Sequence, residues 1–428
     1  MDFVTRRKQL MQRTQHRALV IIPSANLIIR NGDSHYPFRQ ASDFYYLTGY
    51  NEPDAIALLA PGHAEGEYIL FNRPRDPERE IWYGERVGQQ GAISHYLADQ
   101  AYDIQEFWKH LPLFLAHYET VIWPIGQNAL FDQKLFAAIA DLKTKKVPNA
   151  YLFQDLTIYT QELRLIKSAE ELAMIRRAIA ISIEGHLACL QRAQVGMYEY
   201  ELEALLMHAF YRHGSRAPAY SAIVGTGRNS CILHYHTNNQ RLKSGELVLI
   251  DAGAEFEGYA ADITRTFPID KTFSPEQRAI YAIVYEAQQA VIRLLKPGLA
   301  WDALQACAVE HITRGLCELG ILSGTVSSNI EHKHYRQFYM HQIGHWLGLD
   351  VHDVGTYHVA GQSRLLQPGM VFTVEPGIYI MPHDQVDPKW WHIGIRIEDD
   401  ILITSQGCEV LSAALPNTID EIEAIRRS

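Results

Sequence analysis

Residues 341–355 read HQIGHWLGLDVHDVG and place His341, His345 and His352 within twelve positions, with Asp350 and Asp353 among them. Imidazoles and carboxylates at this density are the donor types that hold divalent metal ions. His341 and His345 stand four apart, the spacing that in H-E-x-x-H puts two zinc ligands on one helix face beside a glutamate base. Gln342 occupies the glutamate position and cannot act as a base, and Gly344 and Gly348 disfavour a continuous helix. Taken alone, the stretch leaves two accounts open. One is a metal site; the other is histidines packed around Trp346, Leu347 and Leu349.

Four acids elsewhere shift the balance. Asp251, Asp262, Glu375 and Glu398 sit in the apolar runs VLIDAG, AADITR, FTVEPG and IRIEDD. A lone ionised carboxylate among valines and isoleucines is costly, so such groups pair or bind metal. The elements needed to bring them together recur along the chain. Ser168 with Glu171 forms an S-x-x-E capping box before SAEELAMIRRAIAISIEGHLACLQRA, and a second helix ending near Gly214 follows. Ser274-Pro275 with Gln277 opens SPEQRAIYAIVYEAQQAVIRLL, and again a second helix follows, ending near Gly320. Each helical pair precedes a strand, LKSGELVLIDAG or LLQPGMVFTVEPG. Asp251 lies six residues after Gly245, and Glu375 six after Gly369. With side chains alternating at period two, equal offsets put both acids at equivalent strand positions. Turn signals at Phe256-Glu257-Gly258 and across 382–391 make each strand one half of an antiparallel couple. Asp262 and Glu398 lie on the companions. A duplicated α/β unit would thus gather four carboxylates about a pseudo-twofold axis.

Residues 18–160 read differently. Strand-like runs (ALVIIP, DFYYLTGY, AIALLA, EYILFN, ETVIWPIG) alternate with helical patterns such as QKLFAAIADLKT. The expectation is an α/β (α+β) protein with an N-terminal domain over 1–165 and a catalytic domain over 166–428. The 428 residues are 47% hydrophobic and 21% charged, within the usual globular range, and a net charge of −10 gives no basis for nucleic-acid binding. Five cysteines, odd in number and without a C-x-x-C pair, suggest reduced thiols in a cytoplasmic protein. The early apolar run ALVIIPSANLII is broken by Pro23, Ser24 and Asn26, unlike a signal peptide. No run approaches the roughly 18 apolar residues of a membrane span.

Together these contexts resemble the M24 metallopeptidases of the pita-bread fold. IDAGAEFEGYAADITRTF, HQIGHWLGLDVHD, VEPGIYI and GIRIEDD carry Asp251, Asp262, His345, Glu375 and Glu398 at the five ligand positions. The likeness extends to the aminopeptidase P group through CILHYH around His234 and, nearer the N-terminus, through SHYPFRQASDFYYLTGYNEPDA and EIWYGERVG. The resemblance implies two Mn²⁺ ions about 3.5–4 Å apart sharing an activated water, with other divalent metals able to substitute. Asp262 and Glu398 would bridge them, Asp251 completing one ion and His345 with Glu375 the other. It further implies that Glu375 relays a proton, and that His234, His341 and His352 assist the tetrahedral intermediate and the leaving prolyl nitrogen. Tyr379, Arg396, Asp33 and Trp82 would contact substrate, Trp82 from a neighbouring subunit. The implied substrates are peptides with proline second, and the implied assembly is a homo-oligomer, a dimer or a dimer of dimers. Prolidase, which cleaves only dipeptides, is the nearest alternative. A non-catalytic pita-bread binding module, metal-independent creatinase and methionine aminopeptidase fit less well. The first two have no need of five intact ligands, and the last has no counterpart to residues 1–160.

Overall fold

The computed structural model describes residues 1–15, 17–145 and 152–427. The chain divides into two compact units, Met1–Arg164 and Leu165–Ser428.

The N-terminal unit is a six-stranded mixed sheet in the order Gln100–Asp103, Tyr68–Asn72, Ile56–Leu59, Ala18–Pro23, Thr120–Trp123, Leu152–Asp155. Ile56–Leu59 runs antiparallel to both its neighbours, and the other three pairings are parallel. Leu19, Ile21, Leu58, Ile69, Phe71 and Val121 face helices bearing Phe107, Leu111 and Leu135, so the apolar strand runs are buried. One expected strand is a helix. DFYYLTGY overlaps Ser42–Thr48, which is α-helical and ends at Gly49 in the left-handed region (φ 67°). Its aromatic composition favours strand, but tertiary contacts override that preference. Phe44 and Leu47 are buried, and Arg6 and Arg7 of the first helix donate to the carbonyl oxygens of Tyr46 (3.2 Å) and Leu47 (3.0 Å). These arginines satisfy carbonyls that a helix C-terminus leaves open.

The C-terminal unit repeats one plan twice. Ala169–Arg192 opens with the Ser168/Glu171 capping box and Pro275–Leu294 with Ser274/Gln277, each box closed by reciprocal hydrogen bonds. Caps of this kind contribute about 1 kcal/mol apiece. The partner helices are Glu199–Arg212 and Trp301–Glu318. Both pairs bury apolar stripes in one shared core, which includes Ile181, Leu206 and Phe210 from the first half and Val284, Ala308 and Ile312 from the second. Beneath them lie two antiparallel three-stranded sheets. The first runs Ile223–Thr226, Leu247–Asp251, Thr264–Pro268; the second Val371–Val374, Asp399–Ile403, Cys408–Val410. Asp251 pairs with Thr264, and Val374 with Asp399. Hence Asp251 ends its strand and Glu375 follows its own by one residue, while Asp262 and Glu398 stand just before the companion strands. Among the described residues no helix is long and apolar enough to cross a membrane, and the five cysteines are free thiols.

Candidate metal centre

The histidine-rich stretch is extended because it runs beside a strand. Thr373 N–H donates to His345 O (3.0 Å), Glu375 N–H to Ile343 O (2.8 Å), and Trp346 bridges to Phe372. Gly344 is required by this approach, since a Cβ there would overlap the Thr373 carbonyl. Trp346, fully buried, stacks on Tyr357 with ring centroids 5.3 Å apart and 11° between planes, and packs against Trp301 at 4.5 Å. Removing such a side chain typically costs about 3–5 kcal/mol. His345 is therefore anchored by its neighbours on both sides.

Its imidazole looks onto the acids. Nε2 is 3.3 Å from Asp262 Oδ2 and 3.5 Å from Glu375 Oε1, while Nδ1 is 3.1 Å from the Trp346 carbonyl. A proton on Nδ1 leaves Nε2 as the free donor atom, the usual arrangement of a metal-binding histidine. Asp262, His345 and Glu398 each offer a ligand atom, and these atoms lie within 4.8 Å of one another. Asp251 and Glu375 line the same cavity, of about 830 Å³, as do His234, His341, His352 and Arg396.

The remaining contacts hold these side chains in place. Arg396 donates to Asp251 Oδ2 (2.6 Å), Tyr379 Oη (2.9 Å) and Thr264 Oγ1 (3.1 Å). Thr264 in turn donates to Glu398 Oε2 (2.6 Å). Tyr379 is 1% exposed and does not line the cavity; its hydroxyl lies 2.9 Å from His341 Nε2. Its observed contacts thus orient Arg396 and His341. His352 packs edge-on against His345, ring centroids 4.2 Å apart, and like His234 is open to solvent. Asp353 is not part of the cluster: its carboxylate accepts from Lys167 at 2.9 Å, both side chains being 1% exposed. Asp33, in an exposed turn, and Trp82, 81% exposed on the Pro77–Tyr83 helix, belong to the N-terminal unit.

Two residues unforeseen from sequence join the cluster. The Tyr220 hydroxyl is 2.5 Å from both Asp251 Oδ1 and Asp262 Oδ1, and with one proton it can donate to only one at a time. Asp400, fully buried, accepts from the Asp262 N–H at 3.2 Å and leaves Oδ1 without a partner. Its place beside Glu398 in the E-D-D run was the available signal; nothing in SRAPAYSA distinguishes Tyr220 from an ordinary loop tyrosine.

The electrostatics show excess negative charge. Burial, then the charges of Asp262, Glu375 and Asp251, raise Glu398 well above the carboxylate range. Burial and Asp251 raise Asp262, and burial lifts Glu375 to about 7. Burial disfavours charge on His345, but its hydrogen bond to Asp262 and the nearby carboxylates outweigh this and bring it up to about 9. His341 moves the other way, to about 4, through burial and the Arg396 charge. Arg396 and His345 thus face the four carboxylates of the cavity, with Asp400 buried behind Asp262. Oxygen-rich donors with a single imidazole and a charge deficit fit divalent cations, and a cation would compete with the proton on His345.

Residues 173–405 match the family model "Metallopeptidase family M24", and residues 3–123 match "Aminopeptidase P, N-terminal domain". The chain is 42% identical to the Xaa-Pro aminopeptidase of Escherichia coli, covering 99% of this chain and 97% of that protein. It superposes on the structure of Pseudomonas aeruginosa aminopeptidase PepP with a TM-score of 0.98, 46% identity, and coverage of 100% and 97%. A structure of Escherichia coli aminopeptidase P with the inhibitor Pro-Leu gives a TM-score of 0.96 at 42% identity, covering 100% and 98%. The chain belongs to metallopeptidase family M24, within the Xaa-Pro aminopeptidases.

Proposed function

We propose that this protein removes the first residue from peptides whose second residue is proline, at a centre holding two Mn²⁺ ions through Asp251, Asp262, His345, Glu375 and Glu398. The observation that carries this reading is the convergence of four mutually repelling carboxylates and one imidazole in a single cavity. When bound, the ions supply Lewis acidity and make water nucleophilic near neutral pH. Glu375, on the wall of the same cavity, would take a proton from the attacking water and return it to the leaving nitrogen. That return matters because the scissile nitrogen of an Xaa-Pro bond carries no hydrogen of its own. His341, with its pKa lowered to about 4, is neutral at working pH and acts by hydrogen bonding. Its Nδ1 sits 2.7 Å from the Gln342 carbonyl and 3.7 Å from Glu375 Oε2, so it stands beside that carboxyl group without a hydrogen bond to it. His234 and His352, open to solvent on the cavity wall, would donate to the tetrahedral oxyanion and to the substrate carbonyl. Arg396 and Tyr379 position Asp251 and His341 from behind.

A length series tests the reading. Ala-Pro-Ala and longer peptides should release free alanine, while Ala-Pro should be poorer because it lacks downstream contacts that add binding in the transition state. Replacing proline by alanine should cost much of kcat/KM, and acetylating the N-terminus more. Efficient cleavage of Ala-Pro with tripeptides ignored would make the protein a prolidase instead.

A further inference from the structure

The cavity has a floor and a mouth. Asp251, Asp262 and Glu398 at the floor are 8%, 5% and 2% exposed. At the mouth stand Asp302 and His358, their side chains 59% and 53% exposed, joined by an Oδ2–Nε2 contact of 3.1 Å. Asp302 lies in the first turn of Trp301–Glu318. His358 begins the short hairpin of His358–Val359 and Gln362–Ser363. Its two-residue turn has positive φ at both Ala360 (50°) and Gly361 (78°), the backbone of a type I′ turn.

Several bonds seat this hairpin on the helix start. Asp302 N–H donates to Ser363 Oγ (2.9 Å), Trp301 N–H donates to Arg364 O (2.9 Å), and Ala300 bridges to Leu365. The wall is therefore built rather than loose.

Charge on this wall is sparse. Outside the five-residue cluster, the lining residues carrying a fixed charge are Asp302 and Arg396. Arg396 is 4% exposed and bonded to Asp251. Among the described residues that line the cavity, Asp302 is thus the one fixed charge at the mouth. Only one substrate residue precedes the scissile bond, whereas the chain after proline has no set length and must leave through the open side.

We propose, resting on the peptidase reading above, that Asp302, held by His358, forms a subsite favouring a cationic side chain on the residue after proline. The carboxylate would attract lysine or arginine there and repel glutamate or aspartate.

The test compares Ala-Pro-Lys-Ala and Ala-Pro-Glu-Ala, both amidated at the C-terminus, with the Mn²⁺-loaded full chain and alanine release as readout. The kcat/KM ratio should favour lysine by about two- to fivefold at low salt, the scale of an exposed ion pair, and shrink as salt screens it. Asp302→Asn should bring the ratio near one, and Asp302→Lys should reverse it. A fold or general rate defect would lower both peptides together and leave the ratio unchanged. A wild-type ratio near one, or a lysine preference kept by Asp302→Asn, overturns the subsite while leaving the peptidase reading standing. Failure to release alanine from either peptide overturns both.

Discussion

The buried Lys167–Asp353 pair should control the histidine-bearing loop without touching substrate. Both side chains are 1% exposed, and Nζ lies 2.9 Å from Oδ2. At an effective dielectric of about 20 that separation corresponds to about 6 kcal/mol of attraction, much of it offset by the cost of desolvating both groups. Lys167→Met keeps the volume but takes away the ammonium that faces this buried carboxylate, and removing one partner of a buried pair costs up to about 3–5 kcal/mol. The carboxylate cannot swing aside cheaply. It packs so closely on Gly348 that a Cβ there would overlap it, and Asp353 N–H donates to Trp346 O at 2.8 Å. In a unit of this size the loss should lower Tm by roughly 6–15 °C. Circular dichroism on the Mn²⁺-loaded protein measures that shift, and hydrogen exchange over residues 345–353 shows whether the opening is local. The double variant Lys167→Met/Asp353→Asn should recover more than half of the loss, and kcat should fall with the single variant because His345 and His352 lie in the released segment. A Tm shift below about 3 °C with unchanged exchange, or a double variant no better than the single, would refute the reasoning.

Three further outcomes are expected. His345→Ala should lose bound metal, whereas His341→Ala and His352→Ala should retain it and lower kcat; elemental analysis of the three variants separates the roles. Arg396→Lys should weaken Mn²⁺ binding and cut kcat at least about tenfold, because Arg396 reaches three partners in different directions and an ammonium cannot; calorimetric titration with kinetics checks both. His186 is buried, with Nε2 2.9 Å from Ala252 O, and burial depresses its pKa from 6.5 to about 4. The unfolded chain therefore takes up this proton first. Stability should fall by up to about 3 kcal/mol as pH drops from 6.5 to 4, a slope that urea unfolding should find flatter in His186→Gln.

Much of the C-terminal plan could be read from short-range signals. Ser168/Glu171 and Ser274/Gln277 mark helix starts because capping is satisfied within four residues. The six-residue offsets to Asp251 and Glu375 survive because strand periodicity is rigid. The meeting of the acids was legible for the same reason: each stands at or within two residues of the end of a strand whose partner could be named. What escaped depended on distant contacts. Ser42–Thr48 is helical because Arg6 and Arg7 reach its last carbonyls, and no property of DFYYLTGY announces them. Tyr220 reaches Asp251 and Asp262 from a loop of ordinary composition. Tyr379 is near the cluster in sequence, yet only packing reveals that it faces Arg396 and His341 instead of the cavity.

The most direct test is to strip the protein with a chelator, titrate it with Mn²⁺, and follow bound ions and alanine release from Ala-Pro-Ala in the same samples. Two ions per chain at saturation, with release absent beforehand and restored as the sites fill, is the predicted result. Full release from rigorously metal-free protein, or no Mn²⁺ bound at concentrations that sustain release, would contradict it.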